Sequence, residues 1–166
     1  AGTSEVPLRV WWDFSGGRCR IVRIEFVGKK SRYSPQDAPP EIAGLCQCLS
    51  AVLRGEQACF DPTILAWDGI PSFHRQVITA LLSIPAGKVT TYGRLAQQLG
   101  CSNGARAVGQ ALARNPFPVL FPCHRVVRSD RSLGGFGGGL RVKRLLLEHE
   151  GVVFTRDGRV DSLSMV

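Results

Sequence analysis

The sequence has no stretch approaching the ~20 continuous apolar residues that a membrane-spanning helix needs. Its N-terminus carries no basic segment leading into an apolar run, so no signal peptide is expected. These absences point to the cytoplasm, or to the nucleus of a eukaryote. There is no C-x-x-C pair among the six cysteines Cys19, Cys46, Cys48, Cys59, Cys101 and Cys123; Cys46 and Cys48 form only C-x-C. No metal site is expected from that spacing. Without a secretion signal the thiols are expected to be reduced, and five of the six read as small apolar fillers. Internal repeats are absent. Acidic residues are scarce: 13 Asp and Glu against 21 Lys and Arg, a net charge of +8. Such a surplus suits a polyanion, because each neutralised phosphate releases counterions. By itself it suits an ordinary basic soluble protein equally well.

What is present divides in two. Over 166 residues, a single compact domain or two small ones sharing an interface can form. Leu8–Phe14 and Cys19–Phe26 are apolar, β-branched runs flanking Ser15-Gly16-Gly17, which predicts a hairpin. Val22, Ile24 and Phe26 recur at period two in the second run. Lys29–Pro40 is polar and Pro-rich, a loop. Glu41–Arg54 places Ile42, Leu45, Leu49, Val52 and Leu53 on one helical face, with Pro40 at its start and Gly55 past its end. Ile64–Trp67 reads as a short strand. From Pro71 the pattern turns helical. Ser72 can cap a helix carrying Phe73, Val77, Ala80 and Leu81. Thr90 or Thr91 can cap a second with Tyr92, Leu95, Ala96 and Leu99. After the turn Ser102-Asn103-Gly104, a third spans Ala105–Arg114 with Ala105, Val108 and Leu112 inward. The last two, joined by a Gly-containing turn, make a candidate helix-turn-helix. Leu140–Glu150 predicts a final helix with Val142, Leu145 and Leu146 inward. The expected fold is therefore α+β: residues 1–68 as a small unit of antiparallel strands plus a helix, 69–151 as a helical helix-turn-helix domain, and 152–166 as a tail too mixed to place.

Between the third helix and the last lies Pro122-Cys123-His124-Arg125-Val126-Val127, followed by the loop Gly134-Gly135-Phe136-Gly137-Gly138-Gly139. A thiol with a pKa of about 8.5 is a nucleophile only as its thiolate, so a base or positive charge must favour the anion. His124 is adjacent, and a bend after Pro122 or a bridging water can bring it into play. Glu148 or Glu150 on the last helix can then orient it.

The hexapeptide Pro122–Val127 is identical to the active-site motif of the O6-alkylguanine-DNA alkyltransferases, and the chain resembles that family from about Phe73 to Gly151. Pro85-Ala86-Gly87-Lys88-Val89, Tyr92-Gly93, Ala105-Arg106-Ala107-Val108-Gly109, Asn115-Pro116 and Gly138-Gly139-Leu140 carry the likeness further. The resemblance implies single-turnover DNA repair: Cys123 takes the alkyl group from O6-alkylguanine flipped out of duplex DNA through the minor groove. It implies His124 as a base acting through water, Glu150 as its orienter, Asn115 as the holder of the preceding turn, and Tyr92 as a donor to the leaving guanine. Arg106 would fill the gap in the stack, with Ser102, Ala105 and Arg114 at the DNA alongside it. Pro118, Val126, Phe136 and Gly137 would line the base pocket. No cofactor is implied, and the protein would act as a monomer. Where many family members have Tyr-Ser, Phe136-Gly137 stands, which removes a hydroxyl contact. The basic insert Arg128-Ser129-Asp130-Arg131 is expected at phosphate. The competing readings are a non-catalytic sensor of alkylated DNA, a helix-turn-helix regulator and a cysteine hydrolase. The presence of Cys123 disfavours the first two, and the basic charge disfavours the third.

Overall fold

The computed structural model of the protein describes residues 6–28, 38–56 and 60–166. Cys59 and most of the loop expected over Lys29–Pro40 lie outside these residues. The architecture mixes helices with a small antiparallel sheet. Strands β1 (Leu8–Ser15) and β2 (Arg18–Phe26) form the expected hairpin. Gly16 and Gly17 close it with φ of 61° and 74°, the left-handed pair that matches strand twist and costs glycine no steric strain.

The period-two reading of β2 needs a correction. Trp11 faces Arg23 but Trp12 faces Ile21, so Val22 is a bulge. One extra residue reverses the alternation. Cys19 and Ile21 are buried before it and Ile24 after it, while Val22 is exposed.

Helix α1 (Pro40–Leu53) starts on a proline whose missing N–H would have had no helical partner. It buries Ile42, Leu45, Leu49 and Val52 in the same cluster as Ile21 and Ile24. Ile64–Trp67 is not a strand. The Asp61 carboxylate accepts from Thr63 N and caps a tight turn over Pro62–Ile64, which diverts the backbone from a ladder. Only Leu65 bridges Ile21. The Trp67 ring packs edge-on against Phe117 and Phe121, at 5.3 and 5.4 Å.

Helix α2 (Ser72–Ala80) is preceded by Pro71 at the cap position, so Ser72 lies inside the helix and caps nothing. Thr91 does cap α3 (Tyr92–Gln98), its Oγ1 accepting from Arg94 N at 3.2 Å. Helix α4 (Ala105–Ala113) follows a turn and buries Val108, Ala111 and Leu112; Ala105 is only half-buried. The short strands β3 (Thr90–Thr91) and β4 (Val126–Val127) pair in parallel. In α5 (Leu140–His149) the buried stripe is Lys143, Leu146 and Leu147, with Val142 and Leu145 only half-buried. The helix is rotated from the expected phase because the Lys143 ammonium finds carbonyl partners inside.

The main core runs without a break from the hairpin and α1 through α2–α4 to Val126. Ile24 N donates to Pro116 O at 2.8 Å, tying β2 to the segment before Cys123, and Ala66 N donates to Ile21 O at 2.8 Å, tying β2 to the chain that follows the Pro62–Ile64 turn. The tail is placed after all. Val160 and Val152 join Val89, Val127 and Leu147 in a second cluster. Val89 N donates to Ser164 O, and Val166 N to Val89 O. Among the described residues no helix is long and apolar enough to cross a membrane.

Candidate active site

Pro116 and Pro118 stop α4 from continuing. Asn115 ties the turn that follows, its Oδ1 accepting from Phe117 N at 3.0 Å and its Nδ2 donating to Phe121 O at 3.1 Å. Between those bonds Val119 has φ of 76°, which a β-branched side chain rarely adopts. A buried side chain and two tied ends hold it there.

The chain then bends at Pro122. Cys123 N donates to Phe121 O and Arg125 N to Pro122 O, giving one tight turn over Cys123–Arg125. The turn sends neighbouring side chains apart. Cys123 borders an open cleft of about 1180 Å³, while His124 is fully buried behind it.

His124 meets Glu150, with Nε2 2.8 Å from Oε1. The same carboxylate accepts from Arg125, whose Nε lies 2.9 Å from Oε2 and whose Nη2 lies 2.7 Å from Oε1. Arg125 Nη1 also donates to Ile84 O at 2.6 Å. One acidic residue at the end of α5 thus holds both residues that follow Cys123. Glu148, the other carboxylate the sequence offers, pairs with Arg144 on the surface.

The electrostatics follow from burial. Desolvation pulls the His124 pKa below 6.5 although Glu150 opposes it, so the ring is neutral at pH 7. Its Nε2–H then donates to Glu150 and leaves Nδ1 as the acceptor; Nδ1 has no protein partner among the described residues. Burial would raise the Glu150 pKa, but the hydrogen bonds from His124 and Arg125 outweigh it and hold the carboxyl at about 2. Burial pushes the Cys123 thiol up, against the opposing influence of an Asn115 hydrogen bond and the Lys143 ammonium. Burial likewise raises Tyr92, and the Cys123 thiolate, once formed, acts in the same direction. A cysteine so placed is a neutral thiol at pH 7.

Lys143 is the residue that sequence reasoning missed. Its Nζ donates to Val126 O at 2.6 Å and Leu133 O at 2.5 Å, with Gly135 O at 3.5 Å. It therefore fixes β4, Leu133 and the Gly-rich loop together. Desolvation lowers its pKa to about 8, which leaves it cationic at neutral pH. The available signal was its place at i, i+3, i+4 with Leu146 and Leu147, a lysine inside an apolar stripe. Lys143→Met is expected to raise the Cys123 pKa and slow iodoacetamide alkylation of Cys123 about tenfold at pH 7. An unchanged pH profile of that reaction would remove Lys143 from the electrostatics of the site.

Tyr92, Arg106, Cys123 and Arg128 line the cleft, as do Ala105, Phe136 and Gly137. Asn115, His124 and Glu150 stand behind Cys123. Pro118 and Val126, expected in the pocket, are buried and do not line it: Pro118 belongs to the turn tied by Asn115, and Val126 is part of the β3–β4 pair. Ser102 and Arg114 are exposed at the two ends of α4 and do not reach the cleft. Among the described residues no group of three or more His, Cys, Asp or Glu side chains is placed to hold a metal ion.

A buried thiol on the wall of an open cleft, with an imidazole–carboxylate pair behind it, defines a protein built around a cysteine nucleophile. The comparisons make this specific. A family model described as 6-O-methylguanine DNA methyltransferase, DNA binding domain, matches residues 72–152. The methylated-DNA–protein-cysteine methyltransferase of Methanothermobacter thermautotrophicus is 40% identical over 144 residues, covering 86% of this chain and 78% of that one. That of Haemophilus influenzae is 35% identical over 144 residues, covering 83% and 79%. Among solved structures, Mycobacterium tuberculosis OGT in complex with DNA superposes with a TM-score of 0.68 at 33% identity, over 87% of this chain and 92% of that one. The O6-methylguanine DNA methyltransferase of Methanococcus jannaschii gives 0.64 at 29%, over 88% and 90%. The chain belongs to the methylated-DNA–protein-cysteine methyltransferase family.

Proposed function

We propose that this protein repairs duplex DNA by moving the alkyl group of O6-alkylguanine onto Cys123 Sγ, once per molecule. The observation that carries the reading is the Cys123 thiol at the cleft, backed by the buried His124–Glu150 pair. Residues 1–68 act as a supporting α+β domain, 69–151 as the alkyltransferase domain and 152–166 as a tail. Helices α3 and α4 form a helix-turn-helix that meets DNA at the minor groove, with Arg106 toward the base stack, Ser102, Ala105 and Arg114 at the DNA alongside it, and Arg128 at phosphate. The protein acts as a monomer on a single lesion.

The chemistry starts with extrusion of the base, because the alkyl carbon cannot be reached inside the stack. Arg106, on the first turn of α4 and at the cleft, takes the vacated place. The flipped guanine enters beside Phe136, where Gly135 and Gly137 let the backbone approach. A water on His124 Nδ1 relays the thiol proton to the ring, and the resulting imidazolium is held by Glu150. Sγ forms a bond to the alkyl carbon as the carbon–O6 bond breaks. The electrons of that bond remain on guanine, which is neutralised by the Tyr92 hydroxyl proton, and Tyr92 regains a proton from solvent. Asn115 fixes the turn that aims Cys123. The thioether has no route back, so the protein is spent.

Incubation with an excess of O6-methylguanine duplex tests this. Demethylation is expected to stop at one lesion per protein; continued turnover would contradict it. Two further results are expected. Transfer should be flat around neutral pH and fall only below pH 6.5, because burial depresses His124 and the base is lost when it protonates; a fall centred above 6.5 would contradict a buried neutral base. Arg106→Ala should slow repair of duplex by about tenfold or more, the equivalent of part of the unstacking cost, while reaction with the free O6-alkylated base is unchanged. Equal loss on both would place Arg106 in the chemistry instead.

A further inference from the structure

Two glycines of the Gly-rich loop face atoms from outside it: Gly134, whose backbone is left-handed, lies against Tyr92 and Arg128, and Gly138 lies against the N-terminal hairpin. A Cβ on Gly135, Gly137 or Gly139 would meet nothing within 4 Å. At Gly138 it would lie 2.8 Å from two ring atoms of Phe26 and 3.1 Å from the Phe136 ring. Gly138 does not use the left-handed backbone, so space is what demands glycine here. Phe26 is the last residue of β2, and its ring centroid is 5.2 Å from that of Phe136, tilted by 58°. Phe136 in turn meets the His124 ring edge-on at 6.3 Å and lines the cleft. The hairpin that delivers Phe26 is itself fixed to the segment before Cys123 by the Ile24–Pro116 hydrogen bond.

We infer that Phe26 is a positioning residue for alkyl transfer: seated against the bare backbone of Gly138, it holds the Phe136 ring between the His124 ring and the base pocket. The N-terminal hairpin thereby sets the width of the pocket around the alkyl group. This rests on the alkyltransferase reading. An aromatic pair of this geometry is worth more than its buried area alone, and a wall held by packing has few alternative positions. Loss of Phe26 frees Phe136 to move, which changes the fit of large alkyl groups more than small ones.

The test is a double-mutant cycle on the full chain: native protein, Phe26→Ala, Phe26→Leu, Gly138→Ala and the Phe26→Ala/Gly138→Ala pair. Single-turnover rates are measured on duplexes carrying O6-methylguanine or O6-benzylguanine, with affinity for undamaged duplex and Tm alongside. Gly138→Ala is expected to slow transfer about tenfold in the native background, as a displacement of the order of 1 Å does. In the Phe26→Ala background its effect should shrink to about twofold or less, because the obstructing ring is gone. Phe26→Ala should shift the benzyl-to-methyl rate ratio by about threefold or more with DNA affinity unchanged, and Phe26→Leu should restore the ratio. Equal effects of Gly138→Ala in both backgrounds, on rate and on Tm, would overturn the inference. So would a proportional loss on both substrates in Phe26→Ala. If the native protein transfers nothing, the function reading fails, and the Tm cycle alone then decides whether Phe26 and Gly138 are coupled.

Discussion

Cys123→Ala is expected to abolish transfer altogether while the protein still folds and binds DNA. The loss is total rather than partial because Sγ is the atom to which the new bond is made; no other group in the cleft substitutes for it. Folding should survive. Cys123 is 9% exposed, its thiol is neutral at rest, and trimming one buried atom costs about 1 kcal/mol. Binding should survive because Arg106 and Arg128, which carry the charge at the cleft, are untouched. Mobility-shift assays at fixed salt and intact mass after exposure to lesion DNA separate the two properties. Alkylation of the variant would mean that another residue is the acceptor. Loss of DNA binding would mean that Cys123 also has a structural role.

Glu150→Gln should cause the second-largest loss, and it should damage stability and rate together. The Glu150 side chain is 2% exposed and Arg125 11%. Removing the charge leaves the buried guanidinium with Ile84 O as its remaining strong acceptor. Breaking such a pair from one side costs about 3–5 kcal/mol. The pH dependence gives an independent figure. A carboxyl held at about 2 rather than at 4.5 contributes about 3 kcal/mol, present in full above pH 4.5 and lost as pH falls toward 2. Glu150→Gln should therefore flatten the stability profile in that window. It should also slow transfer about 100-fold, since His124 loses the partner that fixes its tautomer and steadies its charge. Denaturation at pH 7, 5 and 3 checks the first point and single-turnover kinetics the second. A variant as stable as the parent, with an unchanged acid profile, would show that the buried cluster is not as tightly coupled as the distances imply.

The parts legible in the sequence are those fixed by local rules. Gly16-Gly17 between two β-branched runs could make little but a hairpin, and Pro40 and Gly55 bracket α1 because one lacks a donor and the other accepts positive φ. Cys123 stood out through its hexapeptide, and Glu150 was already one of two candidate partners for His124. What stayed hidden depended on three-dimensional partners. The bulge at Val22 follows from pairing with β1, which no period within β2 reveals. Lys143 drew no role from the sequence because the carbonyls of Val126, Leu133 and Gly135 that satisfy it come from elsewhere in the chain. Arg125 was visible only as part of a motif; that it shares Glu150 with His124 needed the turn at Pro122. The tail 152–166 has no periodicity of its own because it is pinned to Val89 and Arg131 by backbone bonds, which any side chains allow.

The most direct test is an intact mass of the native protein after incubation with an excess of O6-methylguanine duplex, followed by peptide mapping. A gain of one CH2 per molecule, confined to the peptide carrying Cys123 and not increasing with time, is the predicted result. An unchanged mass despite tight binding to the lesion duplex, or a methyl group on any other residue, would contradict the assignment of Cys123 as the acceptor.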